Sequence, residues 1–225
     1  MRTLQVACAL VVAVVTGGAL SVAAVTAPVA KADACPDVEV VFARGTSDKS
    51  GVGPIGQVFI QTLKWKLIGK RVAAYAVDYP ASWNFAQSTS QGAVDANKHV
   101  QYTAGVCPQT KIVLGGMSQG AGVIDLIAIG NRKLWLFTPS PLPDAMVNHV
   151  AAIAVFGNPS RDYPGFGPLT KISPLYGDRT IDLCATGDPF CSNGHDLFAH
   201  FAYPLNGMVN EAAGFVARRV LGRDT

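Results

Sequence analysis

Apolar residues along this chain fall into two patterns. Five short runs rich in β-branched residues, Val38 to Ala43, Val72 to Val77, Ile112 to Leu114, Val150 to Phe156 and Thr180 to Leu183, are apolar at successive positions. Strands read this way when helices cover both faces of their sheet, because each side chain is then buried whichever way it points. Elsewhere the spacing is helical. Ile55, Val58, Phe59 and Leu63 precede the second run, Ala121 to Ile127 follows the third, and Leu205, Met208, Val209, Ala212, Phe215, Val216 and Val220 close the chain. Strand and helix in alternation predict an α/β fold, a central and mostly parallel five-stranded sheet flanked by helices. In such folds ligands meet the loops at the carboxyl ends of the strands.

The amino-terminal stretch breaks both patterns. Arg2 is followed by an almost continuous apolar run, Leu4 to Val25, and Ala30-Lys31-Ala32 has the small-x-small form of a signal-peptidase site. This predicts an export signal over residues 1–32, cleaved before Asp33, and a protein that acts outside the cell or at its wall. Uncut, the run would be long enough to span a bilayer, which takes about 20 residues, although Thr16-Gly17-Gly18 interrupts it. Cys35 lacks the aliphatic residue that a lipobox needs before it.

Residues 33–225 suit one domain with a sizeable core. No repeat or low-complexity tract divides them. Without Arg2 and Lys31, 16 basic residues face 15 acidic ones, a balance that gives no electrostatic reason to bind nucleic acid. The domain keeps four cysteines, Cys35, Cys107, Cys184 and Cys191. In an exported protein an even set reads as two disulfides, and spacing favours a local Cys184–Cys191 pair with a long-range Cys35–Cys107 pair. A zinc site competes, but there is no Cys-x-x-Cys and no His-Glu-x-x-His, and no metal is expected.

Two glycine motifs compete for the chemistry. Gly51-Val-Gly-Pro-Ile-Gly56 matches the dinucleotide fingerprint, with Asp78 where a ribose-binding acid would stand. However, about seven residues separate it from the preceding strand, whereas pyrophosphate binding needs the glycines at the strand's end. The better placed motif is Gly116-Met-Ser-Gln-Gly120, between the strand Ile112–Leu114 and a helical stretch. Strand, G-x-S-x-G, helix is a nucleophile elbow, in which Ser118 is lifted into solvent by a turn too sharp for side chains two residues either side.

A serine hydroxyl needs a base and a group to orient that base. In chain order these come after the nucleophile, acid first. His99 and His149 precede the last strand, which leaves His195 and His200. Asp188 lies between Cys184 and Cys191, in a loop that a disulfide would close; the alternative is that Asp188-Pro189 is merely a turn.

Several blocks in the right order give the chain a family likeness. Phe-Ala-Arg-Gly-Thr (42–46), Tyr-Pro-Ala (79–81), Gly-Met-Ser-Gln-Gly (116–120), Phe-Gly-Asn-Pro (156–159), the Cys184 to Cys191 loop and His-Phe-Ala-Tyr (200–203) resemble the cutinases, in particular the secreted cutinase-like proteins of mycobacteria and related actinobacteria. The resemblance implies a single-domain α/β-hydrolase with Ser118 as nucleophile, Asp188 as acid and His200 as base. Thr46 and Gln119 would form the oxyanion hole, with Cys35–Cys107 and Cys184–Cys191 as disulfides. It also implies a monomeric serine esterase without cofactor, acting on esters of short to medium acyl chains, including lipids or polyesters, with transient contact with a lipid surface. Met117 stands where many relatives carry tyrosine, and Asn131 to Asn148 looks like the longer insertion of the actinobacterial members.

Trp83, Phe85, Phe190, Phe198 and Phe201 suggest an apolar approach for an acyl chain. Competing readings are an acetylxylan-type esterase, a phospholipase or lipase, and a non-catalytic lipid-binding or surface interaction protein on a hydrolase scaffold. A GDSL hydrolase would need Asp-x-x-His, and Asp196 to His200 has one residue too many.

Overall fold

A computed structural model describes residues 35–132, 136–163 and 166–223; the expected export signal lies outside them. Strands β1 (Val38–Ala43), β2 (Val72–Ala76), β3 (Lys111–Met117), β4 (Val150–Phe156) and β5 (Thr180–Leu183) form one sheet in the order β2-β1-β3-β4-β5. Every pairing is parallel. Helices α1 (Gly53–Lys66) and α5 (Met208–Val220) pack together on one face, and α2 (Phe85–Val106) and α3 (Gln119–Ala128) on the other. A short α4 (Leu169–Ile172) precedes β5.

The run of apolar residues in β1 shows why both faces are covered. Val38, Val40 and Phe42 join the core under α1 and α5, while Val41 and Ala43 join the core under α2 and α3. Each fully buried side chain of this kind contributes about 1.5–3 kcal/mol, so a sheet exposed on either side would forfeit half of them. Phe59 of α1 packs between Phe42 and Phe156, with ring centroids 6.1 and 5.8 Å away.

Of the dinucleotide-like glycines, Gly56 serves packing. A Cβ on Gly56 would stand 2.7 Å from the Phe42 ring, so glycine lets α1 lie close on β1. Hydrophobic periodicity gave no sign of α2, because its inward face consists mainly of small or polar residues, among them Ser88, Thr89, Gly92, Ala93, Ala96 and Asn97. Beyond the expected Leu114, β3 continues through Gly115, Gly116 and Met117, so the strand itself delivers the elbow.

Both disulfides have the expected connectivity, Cys35–Cys107 and Cys184–Cys191. Within the expected insertion, the Ser140 and Leu142 N–H groups donate to Leu126 and Ile127 carbonyls at 3.1 and 2.9 Å, which fixes this segment beside the end of α3. Trp135 lies outside the described residues. Among the described residues no helix is long and apolar enough to cross a membrane.

Candidate active site

Because all strands are parallel, their carboxyl ends open on one edge, and the candidate residues gather there. At the end of β3, Ser118 has φ 54° and ψ −118°, a region that residues with a side chain rarely occupy. The turn is held by the Ser118 N–H donating to the Phe156 carbonyl at 2.9 Å, and by Ala121 N–H donating to the Ser118 carbonyl at 2.9 Å. A Cβ on Gly116 would collide with the Gly120 carbonyl, and one on Gly120 with the Ala43 carbonyl. The glycines of the motif are therefore sterically required.

Asp188 sits after β5 in the loop closed by Cys184–Cys191. Its Oδ2 lies 2.8 Å from His200 Nδ1, and both side chains are buried. Two further groups converge on the carboxylate: Phe190 N–H donates to Oδ1 at 2.9 Å and the Tyr203 hydroxyl to Oδ2 at 2.6 Å. Burial alone would raise this carboxyl's pKa. Hydrogen bonds from His200, Tyr203 and Phe190 outweigh it and hold Asp188 below the usual carboxylate value. An ionised carboxylate only accepts, so Nδ1 carries the proton and Nε2 is left as acceptor. Gly157 makes room for the pair: with φ 56°, a Cβ there would stand 2.9 Å from His200 Cε1 and 3.1 Å from Asp188 Oδ2.

Thr46 follows β1 on a loop shaped by Arg44. The buried guanidinium donates to the carbonyls of Asp48 at 2.9 Å and Tyr79 at 2.7 Å, while Gly45 N–H donates to Asp48 Oδ2 at 3.0 Å. Next to Thr46, Ser47 has φ 62°, and its N–H donates to the Ala81 carbonyl at 2.7 Å. Gln119 begins α3, and its side-chain amide donates to the Ser82 carbonyl at 2.9 Å. That bond turns the Gln119 side chain toward the Ser82 loop.

One cavity of about 970 Å³ is lined by Ser118, His200, Thr46 and Gln119. Among the described residues no hydrogen bond joins the Ser118 hydroxyl to the imidazole; in substrate-free sites this contact is often long and tightens in the Michaelis complex. Most of the wall is apolar. Trp83, Phe85, Phe190 and Phe201 contribute as expected, joined by Phe137, Tyr163 and Phe166, while Phe198 is exposed outside the lining. From the Asn131 to Asn148 segment, Leu136 and Phe137 form part of the cavity wall.

His195 is exposed, and His99 stacks on Tyr75 and pairs with Glu39 at 3.2 Å, so neither joins the site. Tyr203, Arg44 and Gly157 escaped the sequence reading as site residues although each lies in a quoted block. A further buried acid lines the cavity on α3: Asp125, which accepts from Asn158 Nδ2 at 3.2 Å. Its other carboxylate oxygen has no hydrogen-bond partner among the described residues. Burial first, then the charge of Asp182, pushes this carboxyl up to about 8 against the lowering effect of Ser160 and Asn158.

The family model for Cutinase matches residues 34–220. Carboxylesterase Culp1 of Mycobacterium tuberculosis (strain ATCC 25618 / H37Rv) is 44% identical over 210 residues, which cover 90% of this chain and 92% of the relative. Phospholipase Culp4 of the same strain is 44% identical over 211 residues, 94% of this chain and 90% of the relative. Among solved structures, a Trichoderma reesei cutinase in complex with a phosphonate inhibitor superposes with a TM-score of 0.67 at 30% identity, covering 83% of this chain and 77% of that one. An acetylxylan esterase reaches 0.70 at 24% identity over 83% of this chain and 99% of that one, a likeness of fold alone. The chain therefore belongs to the cutinase family and is a carboxylic ester hydrolase with an α/β-hydrolase fold.

Proposed function

We propose that the protein is a secreted serine esterase that hydrolyses carboxylic esters of short to medium acyl chains through Ser118, His200 and Asp188. The observation that carries this reading is the convergence of a strained serine and an Asp188-oriented imidazole on one apolar cavity. In the cycle, His200 Nε2 takes the Ser118 proton as the hydroxyl oxygen attacks the ester carbonyl. Asp188 stabilises the resulting imidazolium without taking its proton. The oxyanion is held by the backbone N–H groups of Thr46 and Gln119, each such donor being worth on the order of 10²- to 10³-fold in rate. His200 then protonates the departing alcohol, and water, activated by the same nitrogen, releases the acid from the acyl-enzyme.

The cavity volume, about 970 Å³, is at the upper end of ligand sites, which run from about 300 to 1,000 Å³. An acetyl group would leave most of it unfilled, which favours longer acyl chains over an acetylxylan-type substrate. The exposed aromatic rim, with Trp83 at 72% and Phe201 at 62%, and the relative named as a phospholipase favour lipid esters as a second reading.

Labelling with a fluorophosphonate tests the nucleophile: wild type should be labelled and Ser118→Ala should not. An unlabelled wild type would overturn the serine mechanism. Turnover of acetyl, butyryl and octanoyl esters then ranks chain length, with kcat/KM expected to be lowest for acetyl.

A further inference from the structure

The near balance of charge conceals a segregation. Between Asp48 and Asp78 the chain has five cations, Lys49, Lys64, Lys66, Lys70 and Arg71, and no acid. Four of these are exposed where α1 ends and β2 begins. Beside α1, the end of α5 adds Arg218 and Arg219, followed by Arg223. Both helices run from the carboxyl edge of the sheet to its amino edge, where Val38 pairs with Val72 and Lys111. Acids at this end include Asp37, which pairs with Arg71, and Asp178, whose carbonyl accepts from Arg219.

Cations in the last turn of a helix favour its negative dipole end, so the lysines alone call for no ligand. Trp65 and Ile68 are an independent observation. They stand 75% and 79% exposed, three residues apart at the end of α1 among Lys64, Lys66 and Lys70. Helix stability gains nothing from an indole and an isoleucine in water. An indole beside an aliphatic side chain, fringed by ammonium groups, suits the headgroup level of a bilayer, where the ring sits at the interface and the cations meet phosphates.

We propose that this face docks on an anionic phospholipid bilayer, with Trp65 and Ile68 entering the interface and Lys64, Lys66 and Lys70 facing the phosphates. It is a different surface from the rim of the cavity. Ser118 follows the carboxyl end of β3, and the docking face lies beyond the amino end of the sheet, about 23 Å away along that seven-residue strand. A molecule docked this way turns its cavity away from the bilayer that holds it, toward esters arriving from the other side. The proposal does not depend on which ester the site cleaves.

The test is co-sedimentation of the purified protein with vesicles of ether-linked lipids, which an esterase cannot cleave. One set contains about one third phosphatidylglycerol in phosphatidylcholine and the other phosphatidylcholine alone. Wild type should bind the anionic set at low salt and be released at high salt. Replacing the three lysines together (Lys64→Gln, Lys66→Gln, Lys70→Gln) should weaken binding by on the order of 100-fold, and Trp65→Ala by about tenfold. Both variants should keep wild-type turnover of a soluble butyryl ester, which also establishes that they fold. Equal binding to both vesicle sets would overturn the proposal, as would unchanged binding by the triple variant. If Trp65→Ala binds like wild type while the triple variant does not, the face binds polyanions and the lipid assignment is wrong. Loss of binding in Trp83→Ala alone would place the lipid contact at the rim and overturn it too.

Discussion

Tyr203 and His200 both reach Oδ2 of Asp188, the phenol at 2.6 Å and the imidazole at 2.8 Å. Burial, followed by the hydrogen bond to Asp188, raises the tyrosine pKa, so the hydroxyl stays a donor. It holds the carboxylate that orients the imidazole. Tyr203→Phe removes one charge-assisted hydrogen bond and leaves Ala185 N–H without its 3.1 Å acceptor. The expected outcome is a kcat lower by about tenfold with KM nearly unchanged; a rise in KM at constant kcat would contradict a positioning role. Asp125 gives a prediction of opposite character. In the unfolded chain it ionises near 3.8, but folded it keeps its proton up to about 8. A raised carboxyl pKa contributes stability that is full below the unfolded value and is lost as pH rises toward the folded one. Urea unfolding should therefore show wild type losing stability across that window, by up to about 1.4 kcal/mol per pH unit, relative to Asp125→Asn. Parallel pH curves for the two proteins would refute this. The glycines around the elbow are a one-dimensional signal that singled out Ser118, whereas chain order left His195 beside His200 and a mere turn beside Asp188 until the blocks of the family likeness chose between them. Tyr203 and Gly157 were not legible, because their roles arise only when β4, the disulfide loop and the turn bearing His200 meet in space.

Helix α2 shows what hydrophobic periodicity cannot see. Its 22 residues pack against α3 through small side chains, so close approach replaces bulk as the source of contact. Two glycines in it have opposite surroundings. A Cβ on Gly92 would stand 2.7 Å from Val123 Cγ2 and 3.0 Å from the Tyr79 ring, whereas one on Gly105 would meet nothing within 4 Å. Alanine improves helix propensity by about 1 kcal/mol at either site. Overpacking costs about 1–3 kcal/mol only at the first. Thermal unfolding should accordingly rise for Gly105→Ala and fall for Gly92→Ala, and a shift of the same sign in both would contradict the close packing of α2 on α3. The strands were read more faithfully, since β1, β4 and β5 have the expected boundaries. At β3 the signal faded because Gly115 and Gly116 have no apolar side chain to register, although both remain in the sheet.

Across the whole molecule, the two disulfides divide stability from activity. Cys35–Cys107 closes a separation of 72 residues and Cys184–Cys191 one of 7. Loop-closure entropy then assigns about 4 kcal/mol to the first and about 2 kcal/mol to the second. Replacing the long-range pair by serines should lower the unfolding free energy more, yet spare kcat. Replacing the short pair should cost less stability and most of the activity, because Asp188 rides on that loop. Equal losses of kcat in both variants would count against the division.

Such ledgers include one residue whose conformation works against the rest. Ser118 occupies a positive φ that glycine adopts freely, and strain of this kind is worth about 1–3 kcal/mol. Ser118→Gly should then survive heating a few degrees beyond wild type, after the flexibility of glycine in the unfolded chain takes back part of the gain. With Ser118 as the proposed nucleophile, durability and turnover pull position 118 in opposite directions, and a screen for heat resistance alone would favour an inactive variant.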